Sequence, residues 1–161
     1  MERTSLSVVG VETVPAQFQI RLIDRQNSSP LDVRGAGRYE YTPVSTEMSF
    51  RLIIGTPEFV HQEIQRILPK EFRLAQNYPN PFNPSTSIGF TLPRESHILL
   101  EVYSVLGEKV ATLENGRLGP GVYTRQWNPG GMHTSVASGV YLYRLIVDGS
   151  PLQTRKMMFL R

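Results

Sequence analysis

At the centre of the chain the sequence reads Asn77-Tyr78-Pro79-Asn80-Pro81-Phe82-Asn83-Pro84-Ser85-Thr86. Each proline fixes its own φ angle, removes a backbone N–H donor and keeps the residue before it out of the α region, so neither a helix nor a regular strand is predicted here. Asparagine side chains that bond to the backbone two residues on add turns. An ordinary Pro-rich connector is the alternative. We expect a stiff, irregular segment whose rings, Tyr78 and Phe82, pack against the domain that follows.

Downstream of this segment, short runs of alternating apolar and polar residues recur at regular spacing. Asp148-Gly149 separates the last two runs and is a strong signal for a two-residue hairpin turn. Short strands at such spacing predict an immunoglobulin-like antiparallel β-sandwich over residues 72–161. The predicted strands are 87–92, 97–103, 109–113, 122–127, 139–147 and 154–160, with loops at 116–121 and 128–138.

Upstream, residues 1–55 also predict strands, each with one apolar and one polar face. Four strands are few for an independent sandwich. We therefore expect a partial β-sandwich module, which is the end of a larger domain or borrows its second sheet from elsewhere. The candidates lie near Leu6 to Val11 and over 17–24, 38–42 and 48–54, with a turn at 26–30.

Residues 56–71 differ from both β regions. Thr56 and Pro57 are typical of an N-cap and a first helical position, and Pro69 ends the apolar pattern that follows them. This predicts a helix of about three turns. The alternative is an irregular linker with an apolar face.

Composition excludes several classes of function. The 161 residues carry a net charge of +3 and contain no cysteine, which removes disulfides, Cys-based zinc sites and a Cys nucleophile. Basic residues are scattered, so we expect no nucleic-acid partner. No apolar run approaches the roughly 18–20 residues of a transmembrane helix. The N-terminus lacks a signal-peptide core, so the chain is either cytoplasmic or the tail of a larger secreted protein.

No side-chain constellation suggests catalysis, a cofactor or a metal site. His61, His97 and His133 lie in separate predicted elements without a ligand-like spacing. Glu101 is interpreted as a charge on a solvent-facing strand surface. Trp127 is interpreted as a core residue, because a single Trp in a sandwich is usually packed; a sugar-binding platform would need it exposed. We therefore expect no enzyme activity and no cofactor.

Residues 72–86 resemble the opening signature of the type A C-terminal sorting domains of the type IX secretion system, a class related to the Ig-like domain of flagellar hook-capping proteins. The likeness continues through the strand that contains Gly139 and Tyr141 and closes on residues 154–161. One departure is Trp127-Asn128-Pro129, where many relatives carry Trp-Asp-Gly. The family-signature residues are Asn77, Tyr78, Pro79, Asn80, Pro81, Phe82, Asn83, Pro84, Gly139 and Tyr141.

The resemblance implies a role in secretion. Such domains end large secreted or cell-surface proteins of the Bacteroidetes and related groups, where the outer-membrane translocon reads them from the periplasm. A sortase-like protease often cuts near their N-terminal boundary. The resemblance thus implies a non-enzymatic sorting and surface-anchoring domain, a secreted or cell-surface location, and a signal peptide on a missing N-terminal part.

The final strand is the candidate recognition site of this sorting domain. Its residues are Lys156, Met157, Met158, Phe159, Leu160 and Arg161. A receptor could add a strand to it or bind its side chains in pockets; alternatively, the apolar run is simply a strand buried on both faces. Two other functions stay open: an assembly module whose strand edges pair between chains, and a carbohydrate-binding module of a secreted hydrolase.

Overall fold

The computed structural model describes residues 4–24, 30–36, 38–41, 48–129 and 136–161. Most of these residues lie in antiparallel strands and few in helices, which confirms the all-β prediction. The chain forms two compact units, Met1–Leu68 and Pro69–Arg161.

In its described residues the first unit contains five strands in two small sheets. A three-stranded sheet has the order β3-β2-β5, and a two-stranded sheet pairs β1 with β4. Pro30 opens a strand; the rest of the turn predicted at 26–30 lies outside the described residues. The elements are β1 (Thr4–Ser7), a 3-10 turn (Val11–Thr13), β2 (Gln19–Asp24), β3 (Pro30–Asp32), a short helix α1 (Val33–Ala36), β4 (Arg38–Tyr41) and β5 (Phe50–Gly55).

Strand β2 is buried on both faces. Ile20 and Leu22 join one apolar cluster, whereas Ile23 points the other way and packs with Ile53 and with Val60 of the following helix. The prediction that each upstream strand has one polar face is therefore wrong for β2, because a helix covers its second face.

That helix is α2 (Pro57–Ile67), which confirms the helical prediction over the linker alternative. Thr56 caps it, since its side-chain oxygen accepts a hydrogen bond from the Phe59 N–H at 3.3 Å. Pro57 occupies the first turn, where its missing N–H costs nothing. The helix lies within the first compact unit.

Over its described residues the second unit is a two-sheet sandwich, as predicted, and it has seven strands, since the short strand Arg73–Leu74 adds to the six predicted. One sheet has the order β10-β7-β6 and the other the order β12-β11-β8-β9. The fourth strand, β9, pairs with the third strand; in the constant-type immunoglobulin arrangement it would pair with the fifth. The strands are β6 (Arg73–Leu74), β7 (Thr86–Leu92), β8 (Ser96–Ser104), β9 (Lys109–Leu118), β10 (Gly121–Trp127), β11 (Gly139–Val147) and β12 (Ser150–Phe159).

Two strands of this sandwich are three or more residues longer than predicted. β9 continues into the predicted Gly/Pro loop because Gly116 pairs with Ile98 of β8, and β12 begins directly after the hairpin turn. The turn itself has the positive φ angles of a type I′ hairpin, 49° at Asp148 and 81° at Gly149, as predicted. Of the loop predicted at 128–138, residues 130–135 lie outside the described part.

One apolar core fills the space between the two sheets. It takes alternate residues from the strands and one ring from the proline-rich segment, whose Tyr78–Pro79, Asn80–Pro81 and Asn83–Pro84 bonds are cis. Its largest members are Trp127, Tyr143, Phe82, Phe90 and several Leu and Ile side chains.

Over the residues described, no helix is long and apolar enough to cross a membrane.

Candidate recognition surface

Asn77 anchors the proline-rich segment in the sandwich. It is buried, and its N–H donates to the Tyr143 hydroxyl at 2.8 Å. That hydroxyl in turn donates to the Ala75 carbonyl at 2.8 Å. The Asn77 side-chain amide donates to the Pro79 carbonyl at 3.0 Å and to the Thr86 hydroxyl at 2.9 Å. Burial raises the pKa of Tyr143, so its hydroxyl keeps the proton that this network uses.

Phe82 joins the segment to the last strand. Its ring is 2% exposed and lies 5.5 Å from the Trp127 ring and 5.2 Å from the Phe159 ring, centroid to centroid. Its N–H donates to the Met158 carbonyl, and its carbonyl accepts from the Leu160 N–H, both at 3.0 Å. The prediction that Phe82 packs on the sandwich is confirmed.

Tyr78 does not pack on the sandwich, so the same prediction is wrong for its ring, which is 81% exposed. The backbone explains the difference. Asn77 points inward, so the side chain of the next residue points outward, as in a strand. Tyr78 is still held by its main chain, which exchanges two hydrogen bonds of 2.9 Å with Ser87.

The rest of the segment lies along the outer edge of β12. The Asn80 side-chain oxygen accepts from the Met158 N–H at 2.9 Å, and the Gln76 amide donates to the Lys156 carbonyl at 2.8 Å. Together with the two Phe82 bonds, these contacts occupy the edge groups that a receptor strand would need. Strand addition at this point would require the segment to leave. Besides Tyr78, the exposed signature residues are Pro79, Asn80, Pro81, Asn83 and Pro84.

The side chains of the last strand alternate between core and solvent. Met157 and Phe159 are buried in the core, whereas Met158 and Leu160 are 41% and 47% exposed. Burial on both faces, the alternative for this apolar run, is therefore wrong, because the outer face of the sheet is uncovered here. Lys156 and Arg161 are also exposed, and the Arg161 N–H donates to the Ser138 hydroxyl.

The exposed side chains of Lys156 and Met158 border a groove of about 250 Å³. Val140 of β11 lies directly across from Met158 in the sheet and is 39% exposed. The groove thus combines the proline-rich segment with two strands, and none of its lining residues is acidic. Its lining consists of Asn80, Pro81, Val140, Lys156, Met157 and Met158.

Tyr141 and Gly139, the two family-signature residues of β11, have structural roles in the sandwich. Tyr141 is 8% exposed, and its ring meets the Trp127 ring edge-on at 5.3 Å. Its hydroxyl donates to the Ala137 carbonyl at 2.8 Å. Gly139 begins β11, opposite Phe159. Trp127 is 2% exposed, as the core interpretation predicts, and so offers no platform for a sugar.

Two polar side chains of β12 also bond to β6, the first strand of the sandwich. The Leu74 N–H donates to the Gln153 side chain at 3.0 Å, and Arg155 donates to the Leu74 carbonyl at 2.7 Å. Sequence reasoning missed Gln153, Arg155, Gln76, Tyr143 and Val140, because their roles depend on partners about twenty to eighty positions away. Only the alternation of β11 hinted that Val140 and Tyr143 lie on opposite faces.

Glu101 is not the solvent-facing charge that the sequence suggested. It is 5% exposed. The Tyr103 hydroxyl donates to it, and Lys109 lies 3.2 Å away; both contacts lower the pKa of this carboxyl group, that of Tyr103 most strongly. Arg144 covers the Tyr103 ring at 5.1 Å.

Histidines and carboxylates form no larger cluster in the described part of the chain. His61 and His97 lie in different units, and His133 lies outside the described residues. No group of three or more His, Asp or Glu side chains within the described ranges could hold a metal ion.

Together the elements define a two-unit all-β protein whose second unit is, over the described residues, a seven-stranded sandwich with its proline-rich segment packed against the last strand. No protein-family model and no curated protein matches the chain. Among solved structures, the chain is similar to the Pseudomonas fluorescens alkylpurine DNA glycosylase AlkC bound to DNA containing an abasic site analog. The identity is 15% and the TM-score 0.41, over 65% of this chain and 36% of that chain.

It is also similar to dimeric latent PorU from Porphyromonas gingivalis. Here the identity is 11% and the TM-score 0.44, over 98% of this chain and 18% of that chain. The chain thus spans well under half the length of either protein.

Proposed function

We propose that the chain is a non-enzymatic C-terminal sorting and surface-anchoring module of a larger secreted protein, recognised by the type IX outer-membrane translocon. The observation that carries the proposal is the junction between Phe82 and the last strand. The opening and closing stretches of the resemblance to the sorting family, residues 72–86 and 154–161, meet there through main-chain bonds and packed rings. A last strand held in place by the signature segment suits a domain that a receptor recognises at this junction.

The other parts of the proposal follow the same resemblance. The protein passes through the periplasm to the cell surface or the medium, with its signal peptide on a preceding part. A sortase-like protease is the second partner, and the exposed residues Lys70 and Glu71, at the start of the sandwich unit, suit cleavage near its N-terminal boundary.

A reporter carrying an export signal and fused in front of residues 1–161 tests the proposal. In a type IX-competent bacterium we expect the reporter at the cell surface or in the medium. In an otherwise identical strain without the translocon it should stay in the periplasm. Periplasmic retention in both strains would refute the proposal.

Pairing between chains is a second candidate, favoured by β5. This strand forms the edge of its sheet, and in the described residues it pairs on one side only. Its Leu52 and Ile54 side chains are 45% and 46% exposed. Such an edge can template another strand.

Light scattering of the whole chain tests this candidate. We expect an association that weakens about tenfold or more when Leu52 and Ile54 are both changed to Thr, because apolar edge contacts are lost. Leu106→Thr, at an 83% exposed turn of the other unit, is the control. A wild-type chain that is monomeric at every concentration would remove the candidate.

A further inference from the structure

We infer that the groove between the proline-rich segment and the last two strands binds a protein partner that presents an aliphatic side chain beside a carboxylate. This inference rests on the proposed function and names what the recognised feature is. The feature is a folded surface and not a linear tail.

The geometry of the groove is the first argument for this inference. Its wall comes from Asn80 and Pro81, whereas Val140 belongs to β11 and Met158 to β12. These residues are separated by up to about eighty positions and meet only when the sandwich is closed. A partner that fills the groove therefore distinguishes a folded domain from an unfolded chain with the same tail.

The main-chain groups at the edge of the last strand, which are already hydrogen-bonded, supply the second argument. Phe82 already uses the Met158 carbonyl and the Leu160 N–H, and Asn80 uses the Met158 N–H. A partner cannot pair with these groups as an added strand while the segment is in place. Side chains are what the folded surface offers, so recognition proceeds by filling a pocket and pairing charges.

The charge and the polarity of the residues in and around the groove supply the third argument. Met158 and Val140 are both about two-fifths exposed, are neighbours on paired strands and both line the groove, which suits an aliphatic side chain. Lys156 lies on the rim, and residues 150–161 contain three basic residues and no acidic one. The sandwich unit as a whole has ten Lys and Arg against six Asp and Glu. An acidic partner is therefore electrostatically complementary.

The variant that distinguishes a folded surface from a linear tail is at Val140, outside residues 154–161. Val140→Glu in the full-length fusion places a like charge in the groove and leaves residues 154–161 unchanged. We expect it to reduce the exported fraction about fivefold or more, as loss of a central apolar contact does. Leu152→Glu is the matched control, because Leu152 is 44% exposed on the same sheet but does not line the groove; it should stay within about twofold of wild type.

Substitutions at Lys156 test the charge. Lys156→Arg should export like wild type, Lys156→Gln less well and Lys156→Glu least, since a rim charge pairs with the partner. Trp127 fluorescence during urea unfolding verifies that each variant folds. If Val140→Glu does not fold, Val140→Thr replaces it, with a smaller reduction expected.

The outcomes separate the two proposals. Loss of export in the Val140 and Lys156 variants but not in Leu152→Glu supports the groove. Normal export of the folded Val140 variants together with loss in Lys156→Glu overturns the groove and leaves the sorting function standing, because the tail is then read as a linear stretch. Equal export of all three Lys156 variants overturns the acidic partner. A wild-type fusion that is not exported overturns both proposals.

Discussion

At the scale of single residues, Tyr78 and Phe82 are aromatic residues of one short segment with opposite environments. Phe82 packs between Trp127 and Phe159, and Tyr78 faces solvent. Tyr78 precedes a proline, which restricts its backbone, whereas Phe82 follows one. What separates them is which strand each main chain joins: Phe82 joins β12, and Tyr78 joins Ser87 at the start of β7.

This contrast predicts unequal effects on stability. Phe82→Ala should lower the free energy of unfolding of the sandwich by about 3–5 kcal/mol, the usual cost of a large cavity. Tyr78→Ala should change it by less than about 0.5 kcal/mol, as for other exposed side chains. Urea unfolding followed by Trp127 fluorescence measures both, because Trp127 is the chain's single tryptophan. Equal losses would contradict the packing described.

The hydrogen bonds of the buried Tyr143 hydroxyl predict that removing it lowers the stability of the sandwich. Tyr143→Phe leaves the Asn77 N–H and the Ala75 carbonyl without their partner, which should cost about 1–3 kcal/mol. Tyr123→Phe is the control, since its hydroxyl bonds to the Gly119 carbonyl in a partly exposed loop that water can reach. The same urea titration applies, and a larger loss in the control would argue against the network.

The surroundings of Glu101 predict that the stability of the sandwich depends on pH. Its folded-state pKa is lowered, first by the Tyr103 hydroxyl and then by Lys109. It therefore contributes stability that is fully present above its ordinary pKa of about 4.5 and is lost as the pH falls through the lowered value. The difference in unfolding free energy between wild type and Glu101→Gln should be largest near neutral pH and shrink below pH 4.5.

The matched control for this titration is Glu95→Gln, whose side chain is 62% exposed and 3.4 Å from Arg117. Its difference from wild type should stay small over the whole range, because an exposed ion pair contributes little. A constant difference for Glu101→Gln across the pH range would show that the carboxylate charge does not matter.

At the scale of elements, helix α2 follows local rules closely. Its cap, its first proline and its end were predicted from Thr56, Pro57 and Pro69, because capping chemistry is local. Which surface the helix covers was not predicted. Only the packing of Val60 on Ile23 and Ile53 reveals that β2 has two buried faces.

The cap predicts a measurable loss of helix stability. Thr56→Ala removes the acceptor of the Phe59 N–H and should destabilise the helix by about 1 kcal/mol. Amide hydrogen exchange of Val60, whose N–H bonds to the Thr56 carbonyl, should quicken accordingly. Thr56→Ser keeps the acceptor and should leave the exchange near the wild-type rate.

The hairpin of β11 and β12 shows where local rules stop. Counting from the Asp148-Gly149 turn would pair Val140 with Met157. A bulge between Leu145 and Ile146 shifts the register by one residue, so that Val140 pairs with Met158. One slipped residue exchanges the core face for the solvent face. The shift places Met158 beside Val140, and the alternation of the sequence alone does not reveal it.

At the scale of the whole molecule, the last strand is both a candidate recognition element and part of the core. Deleting residues 157–161 removes Met157 and Phe159, each worth about 2–5 kcal/mol when truncated. The sum is comparable to the whole stability of a typical domain. We expect this deletion to abolish the cooperative urea transition of Trp127.

The exposed neighbours of these residues should behave differently. Met158→Thr changes a side chain that is 41% exposed, and it should shift the transition only slightly. A cooperative transition that survives the deletion would contradict the core role of the tail. Point variants are therefore the sharper tools for export experiments, because a deletion affects folding and recognition together.

By itself the sequence determined the all-β class, most strands of the sandwich, the turn at Asp148-Gly149, the capped helix and the restricted backbone of the proline-rich segment. These features depend on φ restriction, capping and a two-residue alternation, which act between near neighbours. Only the tertiary structure decided that Phe82 enters the core while Tyr78 does not, and that Asn80 and Phe82 cover the edge of β12. Those outcomes depend on hydrogen bonds between residues about eighty positions apart, and on a register that a single bulge can change.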